Sequence, residues 1–192
     1  MADGRLGNLR ALLVIAAVVL VSASQPARVA AQSSGVVSER AIKAAYIYQF
    51  TAYVQWPEHR FERADSPLVI GVLGMDSFAD ELLRITQGRR VSGRTIDVQI
   101  ITQDDALAGL HVLFIADDVS ARVRALTARA RPESILTVTD SADARAQGSV
   151  INFLTIDQRV RFDVFLDQAE QSALKLNSRL LAVAEHVHVN RP

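Results

Sequence analysis

The sequence predicts a single α/β domain: a three-layer sandwich with a mostly parallel sheet, an antiparallel C-terminal hairpin and helices on both faces. Three observations predict it. Apolar runs bounded by proline or glycine, such as residues 68–73, are typical of strands covered on both faces, as in parallel sheets. Segments with helical spacing alternate with these runs up to about residue 139. Two strand-like runs joined by a short link then follow, which indicates a hairpin.

The composition is that of an ordinary globular protein. The chain has 192 residues, a formal net charge of zero, 22% charged and 49% hydrophobic residues. This length predicts one core, and the balanced charge gives no reason to expect a nucleic-acid partner. The chain has no cysteine, which excludes disulfides, thiolate metal sites and a cysteine nucleophile.

Residues 1–31 have the pattern of an export signal. Arg5 and Arg10 precede an apolar centre at residues 11–21, and small residues predict cleavage after Ala23 or Ala31. An apolar run of eleven is short for a bilayer span, although an uncleaved membrane anchor is the alternative. We therefore expect a mature domain of residues 32–192 with no membrane span after cleavage.

The first helix of the domain is predicted from Ser38, a suitable N-cap, to about Gln55, with Pro57 ending it. The segment contains all three tyrosines and the only tryptophan of the chain. Residues two apart on a helix point in nearly opposite directions, so Tyr46, Tyr48 and Phe50 cannot all face the core. We expect Tyr48 to point away from the sheet, as part of a contact surface; the alternatives for the aromatic group are core packing and a ligand pocket.

Strands and helices alternate after a polar loop at residues 58–67. Strands are predicted at 68–73, 95–101, 111–116 and 134–139. Helices are predicted at 78–86, capped by Asp76 or Ser77, and from Asp117 or Asp118 to about Ala130. Residues 87–94 are expected to form a basic link and 140–147 a polar turn.

The C-terminal part changes pattern. Residues 150–156 and 160–166 are predicted to pair as the hairpin, linked by residues 157–159. A closing helix is predicted from Asp167 to about His186, with Asn177 and Ser178 as the place where it bends.

Six blocks of this sequence resemble the YfiR-like family in their order and spacing. They are residues 43–58, 68–74, 111–115, 135–140, 148–153 and 174–181, and the resemblance covers about residues 40–185. It implies the same α/β domain in a periplasmic, non-catalytic regulator, often a dimer. The implied partner is the extracytoplasmic part of an inner-membrane signalling protein, a diguanylate cyclase or a sensor kinase, which the regulator represses. Relatives with disulfides have been discussed as redox responsive, and a chain without cysteine cannot share that property.

The residues expected to form the partner face lie in two places. Tyr48, Trp56 and Arg60 lie on the first helix and at its end, and Lys175, Asn177 and Arg179 match the family's C-terminal Leu-Lys block.

A small-ligand sensor is the alternative function. Parallel sheets bind ligands beyond the carboxyl ends of their strands, where Gly74 and Asp140 are predicted to lie. Gly71 and Gly74 precede a helix, as in phosphate sites, but Asp76 would place its own anion at that helix end. Arginines 84, 89, 90 and 94 form either a cationic patch or ordinary solvated charges. The predicted ligand residues are Gly74, Arg89, Arg90, Arg94 and Asp140.

Enzyme activity and a metal site are not expected. No motif supplies a nucleophile with a base and an oxyanion donor, so no catalytic residue and no cofactor is predicted. His186 and His188 would need a third ligand to hold a metal, and His111, which opens an apolar strand, is expected to be structural.

Overall fold

The computed structural model describes residues 38–116, 120–141 and 147–189. The predicted signal segment, residues 32–37, the predicted capping residues Asp117 and Asp118, and residues 142–146 of the predicted polar turn lie outside the described residues. Among the described residues, the helices are α1 (Glu39–Tyr53), α2 (Asp76–Thr86), α3 (Ser120–Ala130), α4 (Leu166–Gln171) and α5 (Ser178–Ala182), with a 3₁₀ turn at Glu58–Arg60. The strands are β1 (Val54–Gln55), β2 (Leu68–Leu73), β3 (Arg90–Val91), β4 (Arg94–Ile100), β5 (Val112–Ile115), β6 (Leu136–Thr139), β7 (Ile151–Ile156), β8 (Arg159–Phe165), β9 (Lys175–Leu176) and β10 (His186–His188).

Within the described ranges, the central sheet has eight strands in the order β10-β8-β7-β6-β5-β2-β4-β3. Strands β7, β6, β5, β2 and β4 are parallel to their neighbours in this order. The β7–β8 hairpin and the β3–β4 pair are antiparallel, and β10 lies parallel to β8. The predicted mostly parallel sheet with an antiparallel C-terminal hairpin is confirmed.

Two apolar clusters cover opposite faces of the sheet. The first joins α1 and α2 to the sheet, and in it Phe50 stacks with Phe153 and meets Phe162 edge-on, with ring centroids 5.9 and 4.9 Å apart. The second joins Val123 and Leu126 of α3 to the other face. Burying aromatic side chains of this size contributes several kcal/mol each, about 3–5 by truncation. The predicted three layers are therefore present.

Helix α1 begins as expected but ends earlier. The Ser38 hydroxyl accepts a hydrogen bond from the amide of Ala41, and Ile47 and Phe50 are fully buried. The expected end near Gln55 is wrong, because residues 54–55 form β1, which pairs with β9. Trp56 therefore follows the helix, and its partly buried side chain packs against the first apolar cluster.

The other elements of the α/β part depart from prediction at two places. Helix α2 begins at Asp76 with Met75 as N-cap and no side-chain cap, so the expected capping by Asp76 or Ser77 is wrong. Residues 87–94 are not only a link, because β3 turns back on β4 through Ser92 and Gly93, which have φ of 50° and 81°. A strand of two residues has too little apolar pattern to be recognised.

The predicted closing helix from Asp167 to about His186 is wrong. It is divided into α4, β9, α5 and β10. Ala173 has φ of 53°, and the amide of Leu174 donates to the carbonyl of Ala169, which ends α4. The Asn177 side chain accepts from the amide of Arg179 and so begins α5. The chain was expected to bend at Asn177 within one helix. Asn177 instead follows β9 and caps the start of α5.

In the described part of the chain, no helix is both long and apolar enough to cross a bilayer.

Candidate functional site

The topology creates a crevice at the carboxyl ends of the central strands. From β2 the chain goes to β4 on one side and then to β5 on the other. The loops that leave β2 and β5 therefore run to opposite sides. Open α/β sheets bind ligands at the point where the strand order reverses in this way. Met75 follows β2, Phe114 lies in β5 and Asp140 follows β6, so these residues surround the crevice.

Lys43 of α1 is the central charged group of the crevice. Its side chain is 9% exposed, and its Nζ lies 2.6 Å from Oδ2 of Asp140 and 2.5 Å from Oε1 of Glu39, one helical turn earlier. Burial lowers the pKa of Lys43, but hydrogen bonds and attraction from Asp140 and Glu39 outweigh it and raise the pKa above its ordinary value. The ammonium is therefore charged at neutral pH and links α1 to the end of β6.

The cavity beside Lys43 is small, about 210 Å³, and carries balanced charge. Its lining combines two carboxylates, two cations and three apolar side chains: Glu39, Arg40, Lys43, Met75, Phe78, Phe114 and Asp140. This volume is below the range of drug-sized pockets, about 300–1,000 Å³. The crevice suits a small polar molecule better than a nucleotide, since its lysine already faces two carboxylates.

The predicted ligand residues do not converge on this crevice. Asp140 lines it, but Gly74 lies in a separate hollow of about 340 Å³ with Asp104 and Arg122. Arg94, at the opposite end of the sheet, places its guanidinium 3.7 Å from the centroid of the Phe61 ring and donates to the carbonyls of Arg63 and Ser66. The expected common crevice of Gly74, Arg94 and Asp140 is not formed.

Part of the expected cationic patch is present, and Tyr48 belongs to it. Arg84, Arg89 and Arg90 line a hollow of about 630 Å³ between α2 and β4. The guanidinium of Arg89 lies 5.1 Å from the centroid of the Tyr48 ring, and Leu83 in the lining is 48% exposed. We call Tyr48, Leu83, Arg84, Arg89 and Arg90 the basic aromatic surface. Tyr48 lies outside the apolar clusters, which confirms its predicted direction.

Trp56 and Arg60 make intramolecular contacts at the amino ends of the strands. The indole N–H of Trp56 donates to the carbonyl of His111 at 3.0 Å. Arg60 donates to the carbonyl of Leu110 at 2.9 Å and pairs with Glu133 at 3.0 Å, and its side chain is 12% exposed. These contacts make both residues part of the domain's internal structure.

His111 is the buried centre of these contacts. Its Nδ1 accepts from the amide of Val69 at 3.1 Å, its Nε2 faces the carbonyl of Arg60 at 3.3 Å, and Phe61 stacks on the ring. Burial, with the nearby charges of Arg60 and Arg94, lowers the pKa of His111 to about 4. The ring is therefore neutral at physiological pH, as the prediction of a structural residue expects.

The C-terminal residues of the predicted partner face lie beside the end of α1. Lys175 pairs with Gln55 across β9 and β1, and the amide of Asn177 donates to the carbonyl of Tyr53 at 2.9 Å. Lys175 and Arg179 are exposed. The six predicted partner residues thus fall into two groups, with Tyr48 on the basic aromatic surface and the others around the end of α1 and the strand ends near it.

Sequence reasoning did not select two charged clusters. Lys43 was not singled out, although a lysine four residues after Glu39 within an alanine-rich buried helix is a usable signal. The second cluster joins Asp163 of β8 to His186 and His188 of β10. The two histidines were named from the sequence, but Asp163 was not, because the pairing of β10 with β8 was not predicted.

The fold is a three-layer α/β domain with a small crevice where the strand order of its sheet reverses. The chain belongs to the YfiR/HmsC-like family, whose model matches residues 40–185. Membership indicates a regulatory protein of the periplasm that acts in diguanylate cyclase signalling. No curated protein is significantly similar to the chain.

Proposed function

We propose that the protein is a non-catalytic periplasmic repressor that binds the extracytoplasmic part of an inner-membrane signalling protein, either a diguanylate cyclase or a sensor kinase. The single observation that carries the proposal is the family match over residues 40–185, which spans the domain from α1 to α5. The signal-like residues 1–31 support export of a mature domain of residues 32–192.

The basic aromatic surface is the proposed partner face. Tyrosine and arginine are enriched where proteins bind one another, and Leu83 adds an exposed apolar side chain beside Tyr48 and Arg89. Arg84 is paired with Glu81 on the same helix, whereas Arg90 contacts the carbonyl of Gly93. Two arginines without a carboxylate partner in the described structure favour an acidic patch on the receptor.

The exposed side chains of Lys175 and Arg179 form a second proposed part of the interface, with Asn177 fixing the start of α5 between them. Trp56 and Arg60 would act there by holding the end of α1, because both are engaged internally. A homodimer remains a prediction.

Repression needs no bond to be made or broken. A regulator that binds the inactive conformer of a receptor more tightly shifts the receptor's equilibrium by that difference in affinity. About a hundredfold preference corresponds to roughly 2.7 kcal/mol and is sufficient to leave most of a balanced receptor inactive.

Capture of a membrane partner tests the proposal. The protein is immobilised and incubated with detergent-solubilised inner membranes, and retained proteins are identified by mass spectrometry. We expect a membrane cyclase or kinase to be retained, and Tyr48→Ala with Arg89→Ala to lose it. Arg63→Ala, which removes an arginine 72% exposed on the loop before β2, is the matched control and should retain it. Equal retention by all variants would contradict the proposed surface. If no signalling protein is retained by the wild type, the proposed function is contradicted.

Measuring the cellular concentration of cyclic-di-GMP tests whether the protein represses a diguanylate cyclase. Deleting the gene should raise the nucleotide, and restoring the wild-type gene should lower it again. The Tyr48→Ala, Arg89→Ala protein should be exported in equal amount yet fail to lower it. Unchanged nucleotide after deletion would contradict a repressor of diguanylate cyclase.

A periplasmic small-ligand sensor is the second candidate function, supported by the crevice around Lys43 at the reversal point of the sheet. A thermal-shift screen of amino acids, dicarboxylates and nucleotides tests it. A ligand of this crevice should stabilise the wild type and not Lys43→Met. Lys175→Met, which removes an exposed lysine, is the control and should respond as the wild type does.

A further inference from the structure

We propose that Asp163, His186 and His188 form a binding site for a divalent transition metal, with Zn²⁺ as its simplest probe. The histidine and carboxylate ligand atoms of these residues all lie within 4.8 Å of one another. This revises the expectation that the chain has no metal site, because the third ligand missing from the two-histidine pattern is supplied by β8. The proposal does not depend on the identity of the signalling partner.

Strand pairing places the three side chains together. In the parallel pair of β10 with β8, His186 is opposite Asp163 and His188 is opposite Phe165. Residues two apart on a strand share one face of a sheet, so both imidazoles lie on the face that carries Asp163. That is the face opposite to the buried side chains of Phe162 and Val164.

Both carboxylate oxygens of Asp163 are directed at the imidazoles. Oδ1 lies 2.9 Å from Nδ1 of His186, and Oδ2 lies 3.0 Å from Nε2 of His188. Around a tetrahedral zinc with bonds of about 2.0–2.2 Å, neighbouring ligand atoms are about 3.3 Å apart. A separation a few tenths of an ångström larger therefore admits the metal in place of the hydrogen-bonded protons.

The surroundings hold one histidine and leave the other accessible. The ring of His188 stacks on buried Phe165, with centroids 4.7 Å apart and planes 11° apart. The His186 side chain is 60% exposed, so a metal there keeps an open position for water or for a ligand from another molecule. The nearby cation Arg161 lies 3.7 Å from Glu185, which offsets its charge beside the site.

The ligand set selects the class of metal. Imidazole with carboxylate suits Zn²⁺, Cu²⁺, Ni²⁺ and similar ions, whereas Mg²⁺ and Ca²⁺ prefer oxygen ligands alone. A bound ion would fasten the three-residue strand β10, at the sheet edge, to β8. Metal binding would thereby stabilise the C-terminal end of the domain.

Titration of the protein purified without a polyhistidine tag tests the site. After removal of metal with a chelator, calorimetry with Zn²⁺ should give one ion per chain, and Co²⁺ should give visible absorption bands typical of nitrogen and oxygen ligands. Zinc at a hundred times its Kd should raise Tm by about 5–10 °C for a domain of this size. Mg²⁺ should have no effect on Tm.

Three variants decide the outcome. Asp163→Asn and His186→Ala should each weaken zinc binding by at least about 10- to 100-fold, the loss that even outer-shell changes cause. His59→Ala, which removes an exposed histidine from the 3₁₀ turn, should bind as the wild type does. If Asp163→Asn does not fold by circular dichroism, the exposed His186 position still supplies the test. No zinc binding by the wild type, or equal binding by His186→Ala, would overturn the proposal.

Discussion

At the scale of single residues, burial disfavours the charged form of both Lys43 and His111, but their neighbours lead to opposite shifts of pKa. Lys43 remains charged because Asp140 and Glu39 compensate for its burial. His111 remains neutral because burial lowers its pKa. In addition, the amide of Val69 donates to its Nδ1, so a proton on that nitrogen would face another N–H group. The surroundings therefore favour the protonated form of Lys43 and the neutral form of His111.

His111 predicts a loss of stability in mild acid. Its pKa is lowered to about 4 from an ordinary 6.5, so below pH 6.5 the unfolded chain takes up a proton that the folded chain does not. The contribution of His111 to the free energy of unfolding is therefore complete above pH 6.5 and is lost as the pH falls towards 4. The whole loss is on the order of 3 kcal/mol. Urea unfolding at pH 7.5, 6.5, 5.5 and 5.0 should show roughly 2 kcal/mol of this loss.

One variant separates His111 from the other titrating groups. His111→Asn should flatten the dependence of unfolding free energy on pH between 6.5 and 5 relative to the wild type. A slope that persists in His111→Asn would assign the acid sensitivity elsewhere.

The roles of these residues were only partly predictable from the sequence. An apolar strand beginning at His111 predicted a structural histidine, because a histidine in such a run is usually buried. The use of Trp56 and Arg60 to surround it was not predictable, since the contacts span 55 and 50 residues of chain. Local pattern specifies burial, while the partner of a buried polar group depends on tertiary pairing.

At the scale of elements, predictions succeeded where the hydrophobic period was long and failed where elements were short. The strand at 68–73 is a continuous apolar run, and four of the six residues at 151–156 are apolar. Residues 166–188 contain four elements of two to six residues, and their leucines and alanines also fit helical spacing. Ala173, an alanine at positive φ, gave no sign of the break, because glycine is the usual residue there.

The β7–β8 turn makes a prediction at this scale. Ile156 pairs with Arg159, so the loop has two residues, Asp157 and Gln158, with φ of 48° and 61°. Two positive φ values define the type I′ turn, which favours glycine at its second position. Gln158→Gly should therefore raise the unfolding free energy by about 0.5–1 kcal/mol. Urea denaturation measures the change, and Gln168→Gly, within α4, is a control that should lower stability. A destabilised Gln158→Gly protein would contradict the assigned turn.

At the scale of the whole molecule, the sheet order separates the regions that different functions would use. The crevice of Lys43 lies at the carboxyl ends of the strands, the His111 contacts lie at the amino ends, and the histidines of β10 lie at one sheet edge. The sequence predicted the layers and the hairpin, because these follow from local apolar pattern. It did not predict the grouping of sites, because that requires the order of strands in the sheet.

This separation predicts that stability and partner binding can be changed independently. Tyr48→Ala lies outside both apolar clusters and should lower the unfolding free energy by less than about 1.5 kcal/mol while weakening partner capture at least tenfold. Trp56→Ala removes a partly buried indole and its hydrogen bond to His111, and it should cost about 3 kcal/mol. Urea denaturation and membrane capture of the same two proteins give both results. A Tyr48→Ala protein that unfolds as readily as Trp56→Ala would place Tyr48 in the core, and its lost capture would then report folding and not contact.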